Sequence, residues 1–172
     1  MNILGVSCFY HDSSAALLQD GKIIAAAQEE RWTRKKHDIA FPANAIQYCL
    51  DEARISIGKV DAVGFYEKPL LKFERLLYSH LESFPKSYKT FVQALPSWIT
   101  EQLRIPSLLR RKFRYGGRVF FVEHHLAHAA SSFHVSPFDE AAIFTADGVG
   151  EWTTTTLGFG KGTEITLLKE LH

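Results

Sequence analysis

The sequence predicts an α/β protein, because short apolar runs typical of strands alternate with segments whose apolar residues recur at helical spacing. Three closely spaced apolar runs open the chain, at residues 3–8, 15–18 and 23–27. Asp20 and Gly21 separate the last two and form a hairpin signal, so a strand meander is expected. The 172 residues are 46% hydrophobic with a formal net charge of +1. That composition excludes disorder and is sufficient for a globular core.

Helices and a further strand follow the meander. Pro42 is predicted to open a helix, since its missing N–H costs nothing in a first turn. Apolar residues then follow at helical spacing, at Ala45, Ile46, Cys49, Leu50 and Ala53. Gly58 stands beyond the helix, and residues 60–65 predict a fourth strand. A second amphipathic helix is marked by Leu70, Phe73, Leu77 and Leu81. The next stretch is divided into short helical pieces by Pro85, Pro96 and Pro106.

The last third of the chain contains further strands and one helix, and residues 142–168 have the same order of strand, polar loop and strand pair as residues 3–28. Residues 118–123 predict a strand that is buried on both faces, because its apolar run is continuous. A helix of small residues is expected from about residue 125 to residue 133. A strand at 141–146 then leads through a polar loop to a strand pair at 153–159 and 164–168. This pattern resembles that of the opening strands and indicates a structural repeat.

Composition also narrows the functional classes. No apolar run approaches the ~18 residues of a membrane span, and no signal peptide opens the chain, so a cytoplasmic protein is expected. Cys8 and Cys49 are too few for a thiolate metal site and are predicted to be inert buried thiols. A basic stretch at residues 110–118 is interpreted as a solvated face, so no specific nucleic-acid binding is expected.

A histidine pair is the strongest chemical signal. His124 and His128 lie at positions i and i+4 of the predicted helix, a spacing that lets both imidazoles reach one metal ion. Neutral imidazoles suit zinc or iron(II) better than copper(I). A zincin protease is disfavoured, because His125 stands where its motif has glutamate. The alternative is that these histidines cap a helix and pack in a core.

Two polar loops follow strands. His11, Asp12 and Ser13 form the first, a candidate phosphate or metal-water binder in which His11 could serve as a general base. An ordinary tight turn is the alternative reading. The second runs through residues 147–150, where glycines allow backbone amides to approach a phosphate and Asp147 could hold a metal-bound water. A hairpin turn explains it equally well. The charged run at residues 29–38 is either an anion site or a surface loop.

Five segments, in this order, resemble motifs of the O-carbamoyltransferase family. They are FYHDSSAA at residues 9–16, EER at 29–31, KHD at 36–38, HHLAHAAS at 124–131 and DGVGEW at 147–152. That family includes nodulation protein U and enzymes that carbamoylate cephalosporin and tobramycin-type antibiotics. Each motif is unspecific alone, whereas their combination over nearly the whole chain is specific.

The resemblance implies an actin-like ATPase (ribonuclease H-like) fold, of the kind seen in tRNA threonylcarbamoyladenosine synthases, with a duplicated βββαβα core. Residues 1–140 would form the first subdomain and residues 141–172 the opening strands of a truncated second one. A YrdC-like domain outside this chain would make carbamoyl-adenylate from carbamoyl phosphate and ATP. The actin-like domain would then pass the carbamoyl group to a hydroxyl of a small molecule or sugar.

The resemblance also implies roles for individual residues. His124 and His128 would be the metal pair, for iron(II) first and zinc second, with an aspartate beyond His172 as the third ligand. His11 and Asp12 would be the catalytic loop, with His11 as the base. Substrate or nucleotide contacts, with Mg²⁺ as a further candidate ion, would come from Ser13, Arg31, Lys36, Asp147, Gly148 and Gly150.

Two other functional classes stay open at this point. An actin-like sugar-kinase half would bind a nucleotide with magnesium and would not need the histidine pair. A non-catalytic interaction module would bind neither metal nor nucleotide. The fragment alone is expected to be inactive under the transferase interpretation.

Overall fold

A computed structural model describes residues 1–148 and 150–172. Its strands are β1 (Asn2–Ser7), β2 (Ser14–Gln19), β3 (Lys22–Gln28), β4 (Ala62–Phe65), β5 (Arg118–Phe121), β6 (Glu140–Ala146), β7 (Thr155–Lys161) and β8 (Glu164–Leu171). Its α-helices are α1 (Glu30–Thr33), α2 (Ala43–Glu52), α3 (Pro69–Glu82), α4 (Tyr88–Thr100), α5 (Ile105–Phe113) and α6 (His124–Phe133). Short 3₁₀ turns lie at Ile57–Lys59 and Gln102–Arg104.

The described residues divide into two compact units. The first contains residues 1–66 and 96–121, and the second contains residues 67–95 and 122–172. This division follows compactness and differs from the subdomains expected from the sequence, whose boundary at residue 140 stays a prediction.

The first unit is built on a mixed five-stranded sheet of order β3-β2-β1-β4-β5. β1 pairs antiparallel with β2, and β2 with β3, which confirms the predicted meander. β1 and β4 are parallel, as are β4 and β5. Parallel neighbours require crossovers, which the helices between them supply. The α/β class and the βββαβα order of an actin-like unit are therefore confirmed.

The core of the first unit lies where α2 packs on the meander. The helix buries Ala45, Ile46, Cys49 and Leu50, the face that its sequence spacing predicts. The Cys49 thiol is fully buried, and this burial raises its pKa to about 11. Such a thiol is rarely deprotonated at neutral pH, which supports the prediction that it is inert.

The second unit pairs α6 with a three-stranded antiparallel sheet of order β6-β7-β8. Ala129 and Phe133 of α6 pack against Ile143 of β6 to form a small apolar core. Gly160 of β7 permits this contact, because a Cβ atom there would lie 2.7 Å from the Phe133 ring. The sheet therefore holds α6, the helix of the histidine pair, close against its surface.

The stretch around Pro96 and strand β5 differ from expectation, and Pro96 lies inside α4 rather than between two helical pieces. β5 was expected to be buried on both faces, yet it alternates between exposed and half-buried residues, and Phe120 is 51% exposed. The reason is its position, since β5 lies at the edge of the sheet in the part of the chain that the structure describes. The guanidinium of Arg118 lies 5.7 Å from the centre of the Phe120 ring and covers part of it.

None of the helices formed by residues 1–148 and 150–172 is both long enough and apolar enough to cross a membrane.

Candidate functional site

Three side chains of the second unit converge on one point. α6 begins at His124, so His124 and His128 lie one turn apart on the same face. Asp147 follows the last residue of β6. Its Oδ2 atom lies 2.6 Å from Nε2 of His124 and 3.8 Å from Nε2 of His128, while the two Nε2 atoms are 3.0 Å apart. The three donor atoms could therefore hold a single metal ion.

These separations suit a transition-metal centre. Two donors bound to one ion at 2.0–2.1 Å lie about 2.9–3.4 Å apart for bond angles from a right angle to the tetrahedral angle. The observed separations of 2.6, 3.0 and 3.8 Å bracket that range. Two imidazoles with one carboxylate are the donor set of non-haem iron(II) centres and of some catalytic zinc sites. Three protein donors leave positions open for a substrate oxygen or another ligand.

Burial favours the neutral form of the His124 imidazole, which is the form that binds a metal. This side chain is buried, and burial, assisted by the neighbouring His128, lowers the pKa of its imidazole. Asp147 acts in the opposite sense through its hydrogen bond, but burial prevails. His128 is 49% exposed. The cluster is therefore closed on the His124 side and open to solvent on the His128 side.

Asp147 is the residue whose position the sequence did not reveal. The motif placed it in a substrate loop and put the third ligand beyond His172, whereas the structure brings Asp147 to the histidine pair. The sequence signal for Asp147 was its place directly after a predicted strand, whereas the packing of that strand on α6 is seen only in the structure. The aspartate expected beyond His172 could still bind the same ion, because three protein donors leave coordination positions open.

The loop after β6 is held against the start of α6. The buried carboxylate of Glu151 accepts hydrogen bonds from the backbone N–H groups of Lys68 and His124. Burial raises the pKa of this carboxyl. Arg75 donates from Nη1 to the carbonyl oxygens of Gly150 and Glu151, at 2.8 and 2.7 Å. These contacts fix the loop that carries Asp147.

Two glycines of this loop differ in their surroundings. A Cβ atom on Gly150 would lie 2.9 Å from the carbonyl oxygen of Thr153 and 3.3 Å from Cδ2 of His124. A Cβ atom on Gly148 would meet nothing within 4 Å. Gly150 thus has a steric role beside the histidines, while the phosphate contacts expected of both glycines stay a prediction. Val149, between them, lies outside the described residues.

The first unit contains a second polar cluster. Asp12 accepts hydrogen bonds from Nδ1 of His11 at 2.8 Å and from Nδ1 of His37 at 2.9 Å. The bond from His37, followed by that from His11, lowers the pKa of the Asp12 carboxyl. His11 and His37 are each about three-fifths exposed. The predicted loop thus forms an Asp-centred pair of histidines. His37 was overlooked, although it lies in the KHD motif.

The remaining predicted contacts surround this loop. The Ser13 side chain is buried, and its hydroxyl has no hydrogen-bond partner among the described residues. Arg31 lies in α1 and Lys36 follows that helix; both are exposed. Their role as anion contacts stays a prediction. Glu29, from the same charged run, is instead buried, and its carboxylate accepts a hydrogen bond from the backbone N–H of Ala45 at the start of α2.

Comparison with known proteins identifies the family. The family model named carbamoyltransferase N-terminus matches residues 2–172. The uncharacterized protein sll1178 of Synechocystis is 49% identical over 179 residues, which cover 99% of this chain and 29% of that protein. Nodulation protein NolNO of Sinorhizobium fredii is 36% identical over 161 residues, which cover 91% of this chain and 22% of that protein. The chain thus spans less than a third of the length of these relatives.

Two solved structures show weaker similarity. YeaZ from Pseudomonas aeruginosa superposes with a TM-score of 0.47 at 15% identity, over 99% of this chain and 66% of that one. The Ppx/GppA phosphatase of Aquifex aeolicus gives 0.43 at 13% identity, over 99% and 52%. Similarity at this level says nothing about activity. The family match over residues 2–172 does decide membership: this chain belongs to the carbamoyltransferase N-terminus family.

Proposed function

We propose that this chain is the N-terminal part of an ATP-dependent O-carbamoyltransferase, which passes a carbamoyl group from carbamoyl-adenylate to a hydroxyl of a small molecule or sugar. The match of residues 2–172 to the carbamoyltransferase N-terminus family carries the proposal. The similarity to nodulation protein NolNO over 91% of the chain supports it. A YrdC-like domain outside residues 1–172 would supply the carbamoyl-adenylate from carbamoyl phosphate and ATP.

The histidine pair and Asp147 have the metal-binding role in this proposal. His124, His128 and Asp147 would hold a divalent ion, for which iron(II) is the first candidate and zinc the second. Such an ion, when bound, supplies Lewis-acid chemistry to an oxygen of the carbamoyl donor. The closed side at His124 and the open side at His128 suit a site that a substrate oxygen enters.

His11 is proposed as the base. Asp12 stays ionised because its pKa is lowered, and as a carboxylate it accepts the N–H of His11 Nδ1. Nε2 of the neutral ring is then the free basic nitrogen. The acceptor hydroxyl gives its proton to Nε2, and its oxygen bonds to the carbamoyl carbon. The bond from that carbon to the phosphate oxygen breaks, and AMP leaves with the electron pair.

Phosphate contacts complete the proposal. Ser13, Arg31, Lys36, Gly148 and Gly150 are assigned as contacts of the adenylate or of ATP with Mg²⁺. The exposed cations support this assignment, as does the buried hydroxyl of Ser13, which has no hydrogen-bond partner within residues 1–148 and 150–172.

The products formed from ATP test the proposed reaction. The full-length protein, which contains this chain together with the proposed YrdC-like domain, is incubated with ATP, carbamoyl phosphate and a panel of polyols and sugars, and AMP and ADP are separated by chromatography. A carbamoyltransferase forms AMP and a carbamoylated acceptor, and His11→Ala slows the transfer. Formation of ADP with a phosphorylated sugar would instead identify a kinase, and an unchanged transfer rate in His11→Ala would remove His11 as the base.

A further inference from the structure

We propose that His125, which lies between His124 and His128 in the sequence, is a positioning residue. It holds the loop that carries Asp147 in a fixed position relative to α6. The inference rests on the proposed metal centre, and goes beyond it by naming what sets the geometry of that centre. His125 is only 3% exposed; its Nδ1 contacts Thr145 of β6 and its Nε2 contacts the backbone of Thr153, so the ring meets the chain both before and after Asp147.

The directions of these hydrogen bonds follow from the partners. Nε2 of His125 lies 2.7 Å from the carbonyl oxygen of Thr153, which can only accept, so Nε2 carries the hydrogen. In the neutral ring Nδ1 is then an acceptor, and the Thr145 hydroxyl at 2.6 Å donates to it. Oγ1 of Thr145 in turn accepts from the Thr156 hydroxyl, also at 2.6 Å.

This relay (Thr156 to Thr145 to His125 to the Thr153 carbonyl) is enclosed in the protein. Thr145 is 7% exposed and Thr156 is 1% exposed. Hydrogen bonds in such surroundings are directional and costly to break, because water cannot replace a lost partner. The relay therefore fixes the rotation of α6 about its axis relative to β6 and β7.

The relay reaches Asp147 from both sides. Thr145 stands two residues before Asp147 on β6, and Thr153 belongs to the segment that returns to β7. The backbone N–H of Asp147 donates to the carbonyl oxygen of Thr154 at 2.9 Å. His125 thus bonds to the chain on both sides of the loop, at Thr145 and Thr153. Its neighbour His124 lies with Nε2 2.6 Å from Oδ2 of Asp147.

The steric contact at Gly150 supports the same role. A Cβ atom at this position would lie 3.3 Å from Nε2 of His125 and 2.9 Å from the Thr153 carbonyl oxygen. The backbone at Gly150 therefore lies close to the His125 ring, beside the Nε2 atom that bonds to Thr153. Metal affinity falls about 10–100-fold when groups that orient the ligands are removed, and a loss of about tenfold is expected when the relay is broken.

The test removes one hydroxyl while every proposed ligand stays in place. Thr145→Val deletes the donor to His125 with little change in volume, Thr145→Ser keeps it, and Thr154→Val is a matched control whose hydroxyl bonds to the Leu171 carbonyl. Affinity for Co²⁺ and Zn²⁺ is measured by competition with a chromophoric chelator. The d–d absorption of the Co²⁺ form reports the coordination geometry, and thermal unfolding without metal reports stability.

The expected result is about tenfold weaker binding and an altered Co²⁺ spectrum in Thr145→Val, with wild-type behaviour in Thr145→Ser and Thr154→Val. Wild-type affinity and spectrum in Thr145→Val, or an equal loss in Thr145→Ser, would overturn the inference and leave the metal centre intact. A wild-type protein that binds neither ion would overturn the metal centre and this inference together. If Thr145→Val does not fold, Thr156→Val breaks the relay one step further back and is judged by the same criteria.

Discussion

Nε2 of His124 lies 2.6 Å from Oδ2 of Asp147, although 23 positions separate the two residues in the chain. The contact joins the first residue of α6 to the residue that directly follows β6, and His128 completes the cluster from the next helical turn. The resulting donor set lies wholly within the second unit.

Asp147→Asn tests the third donor. The amide keeps the size of the side chain but removes the negative charge, so metal affinity should fall by about 100-fold or more, since loss of an outer-shell partner alone costs about 10–100-fold. Competition titration with Zn²⁺ measures the change, and thermal unfolding without metal checks that the fold is retained. Unchanged affinity would exclude Asp147 as a ligand and would favour a donor set completed from elsewhere.

Gly150→Ala tests the packing of the loop. Its Cβ atom would meet the Thr153 carbonyl at 2.9 Å, so the substitution should cost about 1–3 kcal/mol of unfolding free energy. Gly148→Ala is the matched control, because a Cβ atom there meets nothing within 4 Å. Urea unfolding compares the two variants with the wild type. Equal stabilities for both variants would show that the loop adjusts freely at residue 150.

Glu151→Gln tests the buried carboxyl that faces the backbone N–H groups of Lys68 and His124. Burial raises its pKa in the folded protein, so its contribution to stability is complete below its ordinary pKa of 4.5 and is lost as pH rises through the folded value. The Glu151→Gln variant keeps an acceptor oxygen without the charge. Relative to the wild type, it should gain melting temperature as pH rises from 4 to 8, approximately. A difference that shrinks over this range would contradict the sign.

Glu29→Ala tests the support of the first loop. This carboxylate accepts hydrogen bonds from Nδ2 and the backbone N–H of Asn44 and from the backbone N–H of Ala45. The backbone N–H of Glu29 also donates to the carbonyl oxygen of Ser13. The substitution strands buried donors at the start of α2 and should cost about 2–3 kcal/mol in urea unfolding. The exposed Glu52→Ala is the control, and an equally small effect of both would refute the capping role.

Local patterns were sufficient to predict most of the fold. The Asp20-Gly21 hairpin signal and the spacing of the buried residues of α2 are local properties, and the structure confirms both elements. The exposure of Phe120 could not be predicted, because an apolar run looks the same in a central strand and at a sheet edge.

The sequence predicted only the part of the candidate site that depends on local geometry. The spacing of His124 and His128 follows from helix geometry alone. The contact of Asp147 with that pair depends on how α6 packs against β6, and the contact of His37 with Asp12 depends on two loops meeting across 25 positions. These two contacts arise from tertiary packing, which local sequence patterns do not predict.

The metal content of the purified protein tests the central claim most directly. The wild type and His128→Ala are loaded anaerobically with iron(II) or with zinc, freed of unbound ion and analysed by elemental analysis. The donor set formed by His124, His128 and Asp147 predicts about one ion per wild-type chain and almost none in His128→Ala. Full retention of the ion in His128→Ala would contradict it.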